Sequence, residues 1–460
     1  MFESNYYIIS RSFSSSVLDI EQTHRLLEIQ LTKKRYPIAV LYFLTCFLQC
    51  FILNSYGFLF NAFLKTQCLT YNQYNITLGT FSFSLAVSTP FSLILVKKIG
   101  LKSSLILSFV GSLIGTIIRI LAIPCSHMSF PLLVVAQVIV SVSAGPPIQS
   151  ITYVSINWFE TKYRQFFCGC FLLAEIVGLY FGYPLLTLFN LTSYSIKQLN
   201  ALGLAYFVVQ IVLLILNLII VIVLFENAPK HPPSFYSILI RKNSLKDVVK
   251  LLRSLKFHIC TLCFAGVLDY FIASLYLRYV LMAIEPPSFV IYSSFCIFLL
   301  IIFVGIAIIY LYKTTVTLKF VMQFYIVVGT VLQYFSSLIF LNVILVGNAT
   351  LRSIMIHVLD LSSNLFVFVY TALLVEMVTD LFFPIEEAIS ITIMFAIACV
   401  YLTLNSIGLL LFDPQFILKI GSLLIMGGLF VSLVGSLFIP LKLENQHMDI
   451  IANPKMTLNT

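Results

Sequence analysis

Charge is scarce in this sequence. Asp, Glu, Lys and Arg make up 10% of the 460 residues and hydrophobic residues 60%, a balance that excludes a water-soluble domain of this size. Several kinds of chemistry are missing as well. There is no phosphate-binding glycine loop, no pair of histidines at metal-ligating spacing and no glycine-flanked serine nucleophile, so nothing assigns an enzyme activity, a metal or a cofactor. Ten cysteines are present, most of them inside apolar segments, where a thiol behaves as a small hydrophobe. Cys260 and Cys263 share a helix face and Cys168 and Cys170 do not, and neither pair has the second pair of ligands a zinc site requires. Only Cys68 and Cys125, near expected outer loops, are placed for a disulfide.

What the sequence does have is long apolar runs. A membrane-spanning helix needs about 20 largely apolar residues, and such runs lie at about 37–59, 77–96, 103–123, 131–153, 167–189 and 202–225. After a polar stretch they resume at about 257–281, 290–312, 320–342, 352–377, 388–411 and 417–439. Six plus six spans predict an all-α membrane protein of twelve transmembrane helices in two six-helix bundles, with a solute site between the bundles near the midplane. The corresponding division is a cytoplasmic tail at 1–36, an N-terminal bundle at 37–225, a basic linker at 226–256, a C-terminal bundle at 257–440 and a second tail at 441–460. Its first span follows a polar lead and no small-residue cleavage site, so it reads as a retained helix.

Positive residues set the orientation. Lys33, Lys34, Arg35, Lys97, Lys98, Lys102, Lys162, Arg164, Lys313 and Lys319 fall in loops on one side, together with seven Lys and Arg residues of the linker from Lys230 to Lys256. That side is cytoplasmic, both termini included. The net charge of +9 is therefore mostly topology, with attraction to anionic lipid, and implies no nucleic acid. Three N-x-S/T sequons, at Asn75, Asn190 and Asn348, all fall in loops on the opposite side, where glycosylation is possible. In the linker, Pro229, Pro232 and Pro233 stop the sixth helix. Leu245, Val248, Val249, Leu251 and Leu252 then alternate with Lys246, Lys250 and Arg253 as an amphipathic helix along the inner membrane surface.

At these residues the chain resembles the feline leukaemia virus subgroup C receptor-related family of solute carriers, within the major facilitator superfamily. The marker is Phe225, Pro229, Lys230, Pro232, Pro233 and Ser234, supported by Gly100-Leu101, by Trp158-Phe159 through Cys168 to Gly178, and by Glu376 followed by Asp380-Leu381, Pro384, Glu387, Ile389 and Ser390. The resemblance implies a carrier of the choline, ethanolamine, vitamin or haem class working by alternating access. In the choline carriers a Trp and a Tyr hold the quaternary ammonium by cation–π attraction beside two glutamines. Those four positions fall at Leu53, Ile272, Ile176 and Cys399, and none matches. Choline is therefore not expected to be the main substrate, although Tyr56, Tyr270 and Tyr276 stand nearby.

A charge at the bilayer centre costs about 3 kcal/mol on insertion scales, so intramembrane ionisable residues usually face a cavity. Glu175, Asp269 and Asp360 stand out, with His357 and Asn364 one turn to either side of Asp360. Asp269, one turn from Ile272, is the strongest candidate, and Asn364 and Asp360 form a polar stripe. Glu376, Asp380 and Glu387 at the cytoplasmic end of helix ten read as gate contacts, and Arg119, Arg278 and Arg352 as arginines that snorkel to water at outer helix ends. The expected function is a monomeric carrier of a small polar or cationic organic solute, with the proton a candidate coupling ion and lipid as surroundings. Its alternative is a non-transporting receptor or scaffold of the same fold; a lipid scramblase would need an interfacial cluster that is missing. A tyrosine sorting pattern at Tyr6 to Ile9 leaves the plasma membrane first and an endolysosomal membrane second.

Overall fold

The computed structural model describes residues 32–439 apart from 66–68, 124–127, 188–194, 230–232, 234–244, 285–317, 342, 345–346, 383–384, 386 and 410–413. Thirteen helices run through the described residues: α1 Arg35–Lys65, α2 Tyr71–Ile99, α3 Leu101–Ala122, α4 Ser129–Gln149, α5 Ile151–Trp158, α6 Thr161–Thr187 and α7 Ile196–Leu224, then α8 Leu245–Leu252, α9 Leu255–Ile284, α10 Leu318–Phe340, α11 Ala349–Leu381, α12 Glu387–Leu409 and α13 Pro414–Phe438. Eleven of the twelve expected spans are among them, α4 and α5 forming one. The expected span at 290–312 lies outside the described residues, as do Cys68, Cys125 and Asn190. Among the described residues, eight segments are long and apolar enough to cross a membrane. Large apolar side chains such as Phe91, Val223 and Phe438 are exposed on the outer surface, which suits lipid rather than water.

Two helix starts differ from the hydropathy boundaries for the same reason. At the start of α2, Thr70 Oγ1 accepts from the Gln73 amide while Gln73 Oε1 accepts from the Thr70 amide, and Ser195 and Gln198 repeat this at the start of α7. These reciprocal caps satisfy amides that helix starts leave orphaned, and carry the helices about two turns beyond the apolar run. Asn75 thus lies in the first turns of α2 and not in a loop.

Helix packing follows small residues. Gly178 of α6 lies so close to α1 that an added Cβ would stand 3.0 Å from the Cys50 Cβ and the Phe51 nitrogen. Gly266 of α9 and Gly428 of α13 meet backbone to backbone, a Cβ on Gly428 falling 2.7 Å from the Gly266 carbonyl. In membranes such contacts replace the hydrophobic drive that helix association has in water. Within the N-terminal half α1 packs on α6, α3 on α4 and α7, and α2 on α4; within the C-terminal half α9 packs on α12 and α13, and α10 on α11. Between the halves α2 lies along α12 and α6 meets α11.

The segment after α7 is a docking point. Phe225 is buried beside Tyr42, Glu226 pairs with Lys34 at 2.6 Å, and Asn227 Oδ1 accepts from the Lys102 amide at 2.7 Å. That last bond caps α3, whose preceding residue, Gly100, has φ +85°, a conformation that favours glycine. The amphipathic helix of the linker is α8, anchored by buried Leu251.

Candidate functional site

The break between α4 and α5 builds the site. Pro146 and Pro147 sit inside the span and lack the amides an α-helix needs. The Ser143 carbonyl that would have faced Pro147 accepts from Ser108 instead, and the Pro147 carbonyl accepts from Tyr42 Oη at 2.5 Å. The chain turns at Ser150, and Gln149 and Thr152 on either side of it line a cavity of about 90 Å³ between the halves. Polar, irregular backbone at membrane depth is tolerated where it borders a cavity. The volume is room for several waters or part of a small solute.

Glu175 enters the same cavity from α6, Cys50 and Leu53 from α1, and Ser82 from α2. Five polar atoms of these walls are buried without a hydrogen-bond partner: Ser82 Oγ, Gln149 Nε2 and Oε1, Thr152 Oγ1 and Glu175 Oε1. Each unsatisfied buried group costs about 1–3 kcal/mol, so their convergence on one space is a cost that a solute or water in the cavity offsets. The facing wall, from α9, α11 and α12, is largely apolar, with Phe264, Phe271 and Phe395 among its members. Its one hydroxyl among the described residues, on Thr371, is used by the Val367 carbonyl of its own helix.

Charge ties the halves together away from the cavity. Arg164, in the first turn of α6, pairs with Glu376 of α11 at 3.2 Å. Nearby, Arg35 pairs with Glu160 at 3.0 Å, and Phe159 stacks on Phe167 with centroids 3.6 Å apart. Trp158, the sole tryptophan, is buried beside them.

Four residues expected at the site, Leu53, Glu175, Ile176 and Cys399, line the cavity. Asp269 does not. It is buried on α9 and faces Asn405 of α12. Asp360 is buried on α11 outside the cavity lining, and its carbonyl accepts from Asn364 Nδ2 at 2.7 Å. Tyr270 also turns away, donating to Ser363 Oγ at 2.9 Å. The side chains of Tyr56, Ile272, Tyr276, Asp380, Glu387 and Asn75 lie outside the described residues. Asn348 is exposed and caps α11 through Oδ1 to the Leu351 amide at 3.3 Å. Ser82, Gln149 and Thr152 were not expected; the signal for the last two was the Gly145-Pro146-Pro147 interruption of an apolar span.

Arg119 departs from the expectation of an arginine reaching water. It is fully buried, with Nη1 donating to the Ile52 carbonyl at 2.8 Å and Ser55 Oγ at 2.7 Å, and Nη2 to Gln137 Oε1 at 2.6 Å. Gln137 Nε2 in turn donates to the Leu53 carbonyl at 3.2 Å. A guanidinium presents a rigid fork of donors, and here neutral acceptors from α1 and α4 take it up. Its effect is to pin α1 at the level of the cavity.

No protein-family model and no curated protein matches the sequence. Solved structures are similar in fold. The major facilitator superfamily transporter FucP in its outward conformation has a TM-score of 0.60 at 14% identity, covering 89% of this chain and 100% of that one. A second structure, of the E. coli fucose:proton symporter FucP, gives 0.60 at 15% with the same coverage. The proton:xylose symporter XylE bound to 6-bromo-6-deoxy-D-glucose gives 0.61 at 12%, covering 89% of this chain and 97% of that one. The chain is a multi-pass membrane protein whose described residues form an all-α structure with the major facilitator superfamily fold, eleven of the expected spans being present as helices in its two halves.

Proposed function

We propose that this protein is a transporter that carries a small polar or cationic organic solute through the cavity between its halves by alternating access. The observation that carries the reading is the set of five unpartnered polar atoms, one of them on a carboxylate, converging on a space that both halves border. Supporting it are the fold shared with solute symporters and the resemblance to the feline leukaemia virus subgroup C receptor-related carriers. Glu175 is the binding carboxylate, since Coulomb attraction in a low-dielectric cavity favours a cation. As the cavity opens to each side in turn, the same carboxyl can exchange a proton, the candidate coupling ion. Arg164 and Glu376 form the inner gate, with Asp380 and Glu387 at the same end of the chain's C-terminal half. Asp269 of α9, facing Asn405 of α12, holds those two helices in register beside the solute path.

Uptake by purified protein in sealed vesicles tests the reading, with choline, ethanolamine, pyridoxine, haem and amino acids as solutes. Saturable uptake that Glu175→Gln abolishes supports it. Binding of a solute without any uptake would favour a receptor of transporter fold.

A further inference from the structure

We infer that the solute is an amphiphilic amine: a protonated amine that still carries N–H groups, with a hydroxyl or amide beside it, on an aryl or alkyl body. This rests on the cavity being the transport site. The described lining of the cavity is apolar, Phe81, Leu85 and Leu172 of the N-terminal half included, except for one polar patch, its polar pole. Ser82, Gln149, Thr152 and Glu175, from α2, α4, α5 and α6, place every unpartnered polar atom among its described lining residues on the N-terminal half. Opposite them stand Phe264, Val267, Leu268 and Phe271 of α9 with Phe395 of α12.

Each pole excludes a class of solute. A sugar carries hydroxyls around its whole perimeter, and those turned toward α9 and α12 would leave water for a wall that offers them nothing. A quaternary ammonium has no N–H for Glu175 Oε1, and the aromatic residues among the described lining of the cavity are all phenylalanines, whereas a cation is held best over Trp. A small hydrophilic amine would satisfy the polar pole and leave the phenyl wall in contact with water. An amine on an apolar body meets both: its N–H groups donate to Glu175, its neighbouring hydroxyl exchanges hydrogen bonds with the Gln149 amide, and its body packs on the phenylalanines.

A matched series of probes, measured by equilibrium binding to the purified full chain, tests this without any transport step. The series is 2-amino-1-phenylethanol, phenethylamine without its hydroxyl, the N,N,N-trimethyl derivative of the first, ethanolamine without its ring, and L-fucose. The first is expected to bind tightest, with the trimethyl derivative and ethanolamine each at least about tenfold weaker and fucose undetectable. Glu175→Gln is expected to weaken 2-amino-1-phenylethanol at least about tenfold with an unchanged melting temperature. Gln149→Leu is expected to erase its advantage over phenethylamine, a readout that does not depend on how Glu175→Gln folds. Equal or tighter binding of the trimethyl derivative, ethanolamine or fucose would overturn the inference, as would no binding of either aryl amine. Uptake of a different solute that still needs Glu175 would sink the amphiphilic amine and leave the transport reading standing.

Discussion

Arg164 and Glu376 are joined across the two halves of the molecule by an ion pair of 3.2 Å, with 5% and 10% of their side chains exposed. Burial makes this pair different from Lys34 and Glu226, which are 66% and 44% exposed and whose attraction water largely cancels. Removing one partner of a buried pair strands a charge at a cost of about 3–5 kcal/mol. Since α6 and α11 belong to different halves, separating them at this end must break the pair.

Breaking it should therefore open the cavity from this side. Cys50 and Cys399 line the cavity and report on it without a known substrate. Arg164→Gln or Glu376→Gln is expected to speed labelling of Cys399 by a water-soluble thiol reagent by about tenfold or more, given the energy of a buried pair. The exchange of both residues, Arg164→Glu with Glu376→Arg, should bring the rate back toward wild type. Peptide mapping by mass spectrometry measures this, and unchanged labelling in both single variants would remove the pair from any gate.

Much of the fold was legible in the sequence because apolar runs and positive residues are strong, additive signals: eleven of the expected spans are observed helices. Boundaries were less so, and the reason is local. Hydropathy sees the apolar stretch of α2 and α7 but not the Thr70 and Gln73 or Ser195 and Gln198 caps that extend them through polar sequence. Site residues divided by charge. Glu175 stood out because a carboxylate in an apolar run is rare, whereas Ser82, Gln149 and Thr152 are neutral and common in helices. Only the proline pair beside Gln149 marked where the backbone turns. Asp269 shows the converse: an ionisable residue in a span needs a polar partner, and a neighbouring helix, here through Asn405, supplies one as readily as a cavity does. Arg119 was misplaced because sequence position gives depth in the membrane but not the acceptors on facing helices.

Arg119 should be among the most sensitive positions in the N-terminal half. Its guanidinium meets Ile52, Ser55 and Gln137 at once, so truncation leaves several buried acceptors unsatisfied. Arg119→Met is expected to destabilise by about 3 kcal/mol or more, read as a large fall in melting temperature in detergent. Arg119→Lys keeps the charge but not the fork, and should fall in between. A melting temperature unchanged in Arg119→Met would mean the network contributes nothing to stability.

The sequons divide by local structure. Asn348 is exposed at the start of α11, while Asn75 lies within α2, and an acceptor asparagine is expected in a surface loop. Asn348→Gln is therefore expected to remove a glycan, seen as faster migration on a gel, and Asn75→Gln none. Both outcomes assume that this end of the bundle is non-cytoplasmic, as the positive residues at the other end require. An N-terminal tag accessible in intact cells, on protein at the plasma membrane, would reverse that orientation.

Neighbouring glycines of α13 provide an internal control for the packing of α9. A Cβ on Gly428 would meet the Gly266 carbonyl at 2.7 Å, whereas one on Gly427 would have nothing within 4 Å. The obstruction at Gly428 is backbone, which cannot swing aside as a side chain can, so relief requires α9 and α13 to move apart and lose contact along their lengths. Overpacking of this kind costs about 1–3 kcal/mol, and the Ser432 hydroxyl, which bonds the Cys263 carbonyl at 2.8 Å, would be lost with it. Gly428→Val should consequently lower the melting temperature by several times more than Gly427→Val, though both add the same atoms to the same helix. Comparing the two melting curves in one detergent decides it, and equal effects would show that helix propensity and not the α9–α13 contact governs this stretch.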